Sequence, residues 1–441
     1  MPLQLSLTNP LRKPGYRFFL LISACAAMGG GFHFVASYWI LYSETSSPSA
    51  VAWLSIAFWA PSLIVMPVGG VLVDRWNRRL LIASLLGVFL ALNLGLLALI
   101  FGGVFQPRHL YVYAALSSIP HGLFWTALMA YLQEHLSKEE LLHANSLNTA
   151  LMHGGYLAGA GMAGLLFPYI GAIGSYLIDS LGLTVAVVGW LSIQRWFPDM
   201  SLTDSPRVRQ SFISDYVVGV RYIVTTLPLF LFALFAIVPR IASQIVNVLN
   251  VGFSKDVLGT GSVGFGLIDM SFGIGAMLCG LFFPPFVGRF GLRAILPSLA
   301  LSLAALVTFA VSFANSLVLT MVLAAILSAM TNVVGILSNT ALQREAANHV
   351  MGRITSTVQL FQYLLVPPIV WAVGAYASLP QGYLVHEMVL RDAFVAASLF
   401  FVALVVVSAF VTYPFLRARQ RNESGVQAKC VEPQEEVELV R

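Results

Sequence analysis

The sequence predicts an all-α membrane protein: twelve transmembrane helices in two similar six-helix halves. Three observations carry this. The 441-residue chain is 58% hydrophobic and only 10% charged, with a mean hydropathy of +0.83; a soluble domain carries about 25% charged and 45–50% apolar residues. Apolar stretches of about 20 residues, the length that crosses roughly 30 Å of hydrocarbon, recur along it. Its basic residues sort to alternate connections, as expected of a multi-pass chain.

The spans fall at about 17–42, 50–73, 80–102, 110–133, 143–169, 172–196, 229–252, 263–287, 293–314, 317–340, 355–378 and 391–415. The first opens after Arg17. Ile22-Ser23-Ala24-Cys25 resembles a lipobox, but the apolar run before it is too short for a signal h-region and continues well past it. It reads as an uncleaved signal anchor. Connections such as Phe313-Ala314-Asn315-Ser316 are so short that the ninth and tenth helices must be antiparallel neighbours.

With both termini cytoplasmic, twenty of the 24 Lys and Arg residues fall on the inner side. Only Arg108, Lys255 and Arg391 lie outside, and Arg240 lies within the seventh span. Adding or dropping one helix scrambles this bias. The net charge of +5 therefore reports orientation in a bilayer before any anionic partner, and nothing points to nucleic acid. Cys25, Cys279 and Cys430 are scattered and odd in number, which suggests no disulfide framework.

The organisation that follows is a cytoplasmic N-terminus (1–16), a first six-helix bundle (17–196), a linker (197–228), a second bundle (229–415) and a disordered cytoplasmic tail (416–441). The linker contains Ser211 to Tyr222, which reads as a short surface helix. The tail carries Glu432, Glu435, Glu436 and Glu438 with little to bury. The halves echo one another at an offset of 210 residues: Leu132-Gln133-Glu134-His135 with Leu342-Gln343-Arg344-Glu345, Ser146 with Ser356, and Gly164 with Gly374. Parallel repeats of this kind belong to one large transporter architecture.

The most specific motif is Gly70-Val71-Leu72-Val73-Asp74-Arg75-Trp76-Asn77-Arg78-Arg79. It resembles G-x-x-x-D-R-x-G-R-R, the loop between helices two and three of the major facilitator superfamily, over a chain that resembles the family from about 15 to 420. The family's glycine is Asn77 here, expected to close a left-handed turn. By resemblance, Asp74, Arg75, Arg78 and Arg79 form a charge network that latches the inner faces of the halves. Within the superfamily the chain resembles the branch of siderophore exporters (enterobactin-exporter-like) and macrolide-efflux proteins. The features are Val220-Arg221-Tyr222, the stretch from Leu342-Gln343 to Gly352-Arg353, and Asp179 after a Gly-rich fifth helix. One departure is Gly159-Ala160-Gly161-Met162-Ala163-Gly164, which lacks the Gly-Pro pair frequent in antiporters. Its glycines still suit close helix packing.

Arg240 is the most informative single residue. A cation at mid-membrane costs about 2.5–3.5 kcal/mol on insertion scales and usually faces a cavity. Ser243, Gln244 and Asn247 share its helix face, and Pro239 permits a kink. Two readings stand open: Arg240 holds an anionic group of a substrate, or it pairs with Asp269, about 8 Å away along the axis by helix rise. His33, His121 and His153 sit mid-helix in spans that face the cavity in the resembled fold; the alternative for each is hydrogen-bonded packing. Ser328, Asn332, Gly335 and Asn339 form a polar stripe on the tenth helix, and Gln359 and Gln362 a pair on the eleventh. Candidate substrate ligands are thus Arg240, Gln244, Asn247, His33, His121, Asn332 and Gln362. Candidate proton-coupling residues are Asp269, Asp179 and His153; Asp179 reads first as structural, since its helix lies peripherally in the resembled fold. No metal site and no cofactor is expected.

No Gly-Lys-Ser/Thr phosphate loop is present, so an ion gradient, protons first, is the expected energy source and no enzyme is expected. The leading expectation is proton-coupled efflux of a small polar or anionic organic molecule such as a siderophore, by a monomer in the bacterial inner membrane. The alternatives are a multidrug or macrolide pump walled by Phe32, Trp39, Trp125 and Phe361, an importer or lipid flippase, and a non-transporting sensor.

Overall fold

The computed structural model describes residues 10–63, 76–136, 138–196, 220, 221, 223, 225–290, 296–345, 351–378 and 387–408. Asp74, Arg75, most of the linker helix and the acidic tail lie outside them. Every regular element among the described residues is helical.

The helices are α1 (Pro14–Thr45), α2 (Pro48–Trp59), α3 (Arg78–Phe101) and α4 (Arg108–His135). The run Lys138–Ser192 divides at Gly171 into α5 (138–170) and α6 (172–192). Next come α7 (Leu227–Ala236 and Val238–Gly252, a helix in two pieces), α8 (Gly261–Phe290), α9 (Leu296–Val311), α10 (Leu317–Glu345) and α11 (Met351–Ala377). The last described helix is α12 (Glu387–Ser408). Eight helical runs are long and apolar enough to cross a membrane, and one of these, Ala150–Arg195, holds α5 and α6 together.

Local chemistry sets the breaks. Ser46 is left-handed (φ 46°) and ends α1, and Ser47 then caps α2 by accepting from the Ala50 N–H, with Pro48 in the first turn. Gly171, at φ 59° and ψ −160°, takes a conformation open essentially to glycine alone, which reverses the chain between α5 and α6. Asn77 departs from the left-handed turn expected of it. Its φ is −61°, and its side chain accepts the Leu80 N–H at 3.1 Å. An N-cap satisfies an otherwise orphaned helix donor without the cost of positive φ, so the asparagine serves as a cap.

The halves close on one another at the end that carries Ser47 and Ser378. There Ser378 Oγ accepts the Ser49 N–H at 2.9 Å, and Tyr42 OH donates to Asp256 Oδ2 at 2.5 Å. One apolar core crosses the seam, joining Phe32, Val35, Val51 and Ala52 to Ile241, Val248, Phe265, Val366 and Val370. Two other cores are confined to the first half, and one to the second. Large apolar side chains such as Leu281, Phe282, Leu306 and Val318 are exposed, as lipid contact allows.

Backbone proximity at small residues holds these helices together. A Cβ on Gly159 would run into the Met28 carbonyl oxygen of α1; one on Gly164 would meet Gly266 of α8 at 2.8 Å. Gly374, 210 residues on from Gly164, meets Ala52 of α2 at 2.5 Å by the same measure. The two glycines thus occupy equivalent crossings between halves, α5 on α8 and α11 on α2. The sequence echo has a packing cause: both crossings need a backbone without a side chain.

Candidate functional site

The break in α7 creates the site. Its first piece ends at Ala236, Ile237 turns at φ −91° and ψ −9°, and the second piece restarts with Pro239 in its first turn. Proline has no N–H to give back to Phe235, so the ladder is interrupted there. Gly335 of α10 makes room for the ring, since a Cβ there would lie 2.6 Å from Pro239 Cγ. Arg240 therefore leaves the first turn of a new helix and is exposed, although its neighbours Ile237, Val238, Ile241 and Ala242 are buried.

The guanidinium carbon lies over the Trp59 ring, 4.4 Å from its centre, a cation–π contact from α7 to α2. Among the described residues Arg240 has no ion-pair partner. The Asp269 pairing is therefore absent from this arrangement; Asp269 is 7% exposed and its Oδ2 has no hydrogen-bond partner. Trp59, Arg240, Gln244, Gln362, Tyr363, Val366 and Pro367 line a pocket between α2 of one half and α7 and α11 of the other.

Aromatic rings continue from Trp59. Tyr363 lies 5.9 Å away, Phe58 5.0 Å and His121 5.7 Å, the last two edge-on. His121 also faces Trp125 at 6.5 Å. Both His121 and His153 stand near enough to Arg240 to feel its charge. The sequence reading missed Trp59 and Tyr363. Of its aromatic candidates, Phe32 is buried in the core between halves and Phe361 packs against Phe230 at 6.3 Å, while Trp125 stands beyond His121. Nothing in the sequence signals that residues 181 positions apart would meet through one indole.

Several expected ligands sit outside the pocket lining. His33 turns into the first half: its Nδ1 is 3.2 Å from Asp179 Oδ2, without the alignment of a hydrogen bond, and its Nε2 is 3.2 Å from Ser37 Oγ. Its ring stacks on Tyr113 at 4.4 Å. Asn93 Nδ2 donates to Asp179 Oδ2 at 3.0 Å, to the Tyr176 carbonyl and to Ser180 Oγ. Asn332 donates to the Ser328 carbonyl of its own helix at 2.9 Å, and Asn247 donates to Gln244 Oε1 at 3.2 Å.

Of the four inner-loop residues expected to form a latch, Asp74 and Arg75 lie outside the described residues. Arg78 pairs with Glu134 at 2.9 Å and Arg79 donates to the Leu191 carbonyl at 3.0 Å. These two bonds brace α3 against α4 and α6 within the first half.

Comparison with known proteins agrees with this architecture. The family model for the Major Facilitator Superfamily matches residues 19–366. The multidrug efflux pump Tap of Mycolicibacterium fortuitum is 26% identical over 222 residues, 49% of this chain and 54% of that protein. The chain thus spans about half the length of this curated relative. The fold is also that of the nucleoside transporter NupG (TM-score 0.71, 12% identity, covering 91% of this chain and 99% of that one). A bacterial homologue of the iron transporter ferroportin, inward-facing, gives a TM-score of 0.68 at 15% identity over 90% and 99% of the two chains. With its family model matched across most of its length, this chain belongs to the Major Facilitator Superfamily of membrane transporters.

Proposed function

We propose that the protein is a proton-coupled exporter of a small polar or anionic organic molecule, of which a siderophore is the type, working by alternating access. The observation that carries this is Arg240: a cation deep in α7, exposed to a pocket between the halves, without a carboxylate partner among the described residues. Such a charge needs a counter-ion from the solute. The distribution of Lys and Arg supports cytoplasmic termini, and the proposed setting is a bacterial inner membrane. The end closed by Ser47 and Ser378 is then external, and the pocket is shut off from the outside. One copy of the chain suffices, since both halves contribute to the pocket.

Asp269 is the proposed proton carrier. It is buried in α8, one oxygen lacks a partner, and Tyr38 of the opposite half stands near enough to feel its charge. Loading a proton on this carboxylate as the halves exchange contacts couples the two events. Asp179, held by Asn93 beside His33, is a second proton-bearing group, and His153 a third.

A second reading is multidrug efflux. It is supported by the likeness to Tap and by the rings of Phe58, Trp59, Trp125 and Tyr363 around the pocket. In proteoliposomes with an imposed proton gradient, the expected outcome is solute accumulation that a protonophore collapses. Asp269→Asn should lose this accumulation yet retain solute exchange. Equal accumulation with and without the gradient excludes proton coupling.

A further inference from the structure

We infer that the pocket selects a planar aromatic anion, a ring bearing a carboxylate or an equivalent acidic oxygen; this rests on the reading of the pocket as the solute site. The juxtaposition that carries it is Arg240 over the Trp59 ring, with Tyr363 and two amides around the same space.

The Arg240 Cζ stands 4.4 Å from the centre of the indole ring, and its N–H groups make no hydrogen bond among the described residues, so they are the donors left for a ligand. These form a planar fork that matches two oxygens of a carboxylate. No carboxylate among the described residues fills that role. The ligand must therefore bring it.

The rest of the pocket selects shape. Trp59 and Tyr363 are tilted by 52° at 5.9 Å, and Val366 and Pro367 complete the wall. Flat apolar faces beside the fork favour an aromatic ring attached directly to the acid. Gln362 has no side-chain bond among the described residues, and Gln244 accepts from Asn247 with its oxygen, leaving its amide N–H groups for a ring substituent such as a hydroxyl. Charge excludes lipophilic cations, because Arg240 would repel them without an intervening counter-ion.

The test is calorimetric titration of the purified full chain in detergent with four probes of one shape: benzoate, salicylate, the neutral salicylamide and the cationic benzamidinium. Salicylate should bind at least tenfold more tightly than salicylamide, and benzamidinium should give no heat. Arg240→Gln should remove the preference for salicylate while leaving salicylamide unchanged. Arg240→Lys, which keeps the charge without the fork, should fall between. Trp59→Leu should weaken both. If Arg240→Gln does not yield a monodisperse protein, the probe series on the unaltered chain decides. Salicylamide or benzamidinium binding as tightly as salicylate overturns the inference, as does unaltered salicylate affinity in a folded Arg240→Gln protein. Vesicles separate the two proposals. Salicylate that binds but is not moved by a proton gradient leaves this site standing and removes proton-coupled export. Gradient-driven movement of a neutral or cationic solute by a protein that binds no salicylate does the reverse.

Discussion

Tyr42 OH donates to Asp256 Oδ2 at 2.5 Å, tying the last turn of α1 to the π-helical end of α7 across the two halves. Gly252 lies beneath the phenol: a Cβ there would stand 2.5 Å from the same hydroxyl. Lys255 adds a bond to the Ser43 carbonyl at 3.3 Å and lies 5.5 Å from the Tyr42 ring. A hydrogen bond to a charged group contributes about 1.5–3 kcal/mol. Tyr42→Phe should therefore open this end more than tenfold more often. The readout is maleimide labelling of a cysteine placed at Ser378, in a background without the three native cysteines. Equal labelling rates with and without the Tyr42→Phe substitution would remove this bond from the gate.

The same end offers a direct lock. Ser47 Oγ and Ser378 Oγ are 3.5 Å apart, from α2 and α11. With both replaced by cysteine, oxidation should link the halves, stop transport and leave a reducing agent able to restore it. Cross-linking without loss of transport would show that α2 and α11 stay together through the cycle.

Gly159 and Gly154 make a matched pair on α5. A Cβ on Gly159 runs into the Met28 carbonyl oxygen, whereas one on Gly154 meets nothing within 4 Å. Gly159→Ala forces α1 and α5 apart and should lower the melting temperature by several degrees or abolish folded yield, in line with overpacking costs of about 1–3 kcal/mol. Gly154→Ala should match the parent protein or exceed it slightly, since alanine favours helix over glycine. Equal stability of the two variants would contradict the close α1–α5 contact.

Asp179 and Arg240 are both buried-helix charges in the sequence, yet their environments differ. Asp179 is 3% exposed and is held by Asn93 with His33 alongside; Arg240 is exposed to the pocket. Asp179→Ala removes the carboxylate that accepts from Asn93 and leaves a buried gap beside His33, and should destabilise by about 1–3 kcal/mol. Arg240→Gln should change thermal stability little and affect solute binding instead. Thermal denaturation of both variants side by side checks this, and a larger loss for Arg240→Gln would reverse the assignment.

Much of the fold was legible in the sequence because a bilayer imposes strong, local constraints. Apolar length marks spans, and Pro239, Gly171 and the Gly159 to Gly164 run mark a break, a reversal and a close crossing. Each acts through backbone geometry within a few residues. The 210-residue echo of Gly164 and Gly374 belongs with these, because equivalent crossings demand equivalent small residues. Asn77 was less legible: the same residue type suits a left-handed turn and an N-cap, and only the neighbouring chain decides between them.

By itself, then, the sequence determined the number and lengths of the helices, their two-fold repetition and the presence of a costly cation in α7. Tertiary structure alone decided what that cation meets. Arg240 and Asp269 lie close along the helix axes, yet rotation about those axes turns the arginine onto Trp59 and leaves the carboxylate apart. His33, mid-helix like His121, turns to Asp179, while His121 turns to the indole. A one-residue change in helical phase rotates a side chain by about 100°. Composition and hydropathy carry no record of that phase once every face of a helix is apolar, so the pocket became readable only when α2, α7 and α11 were packed together.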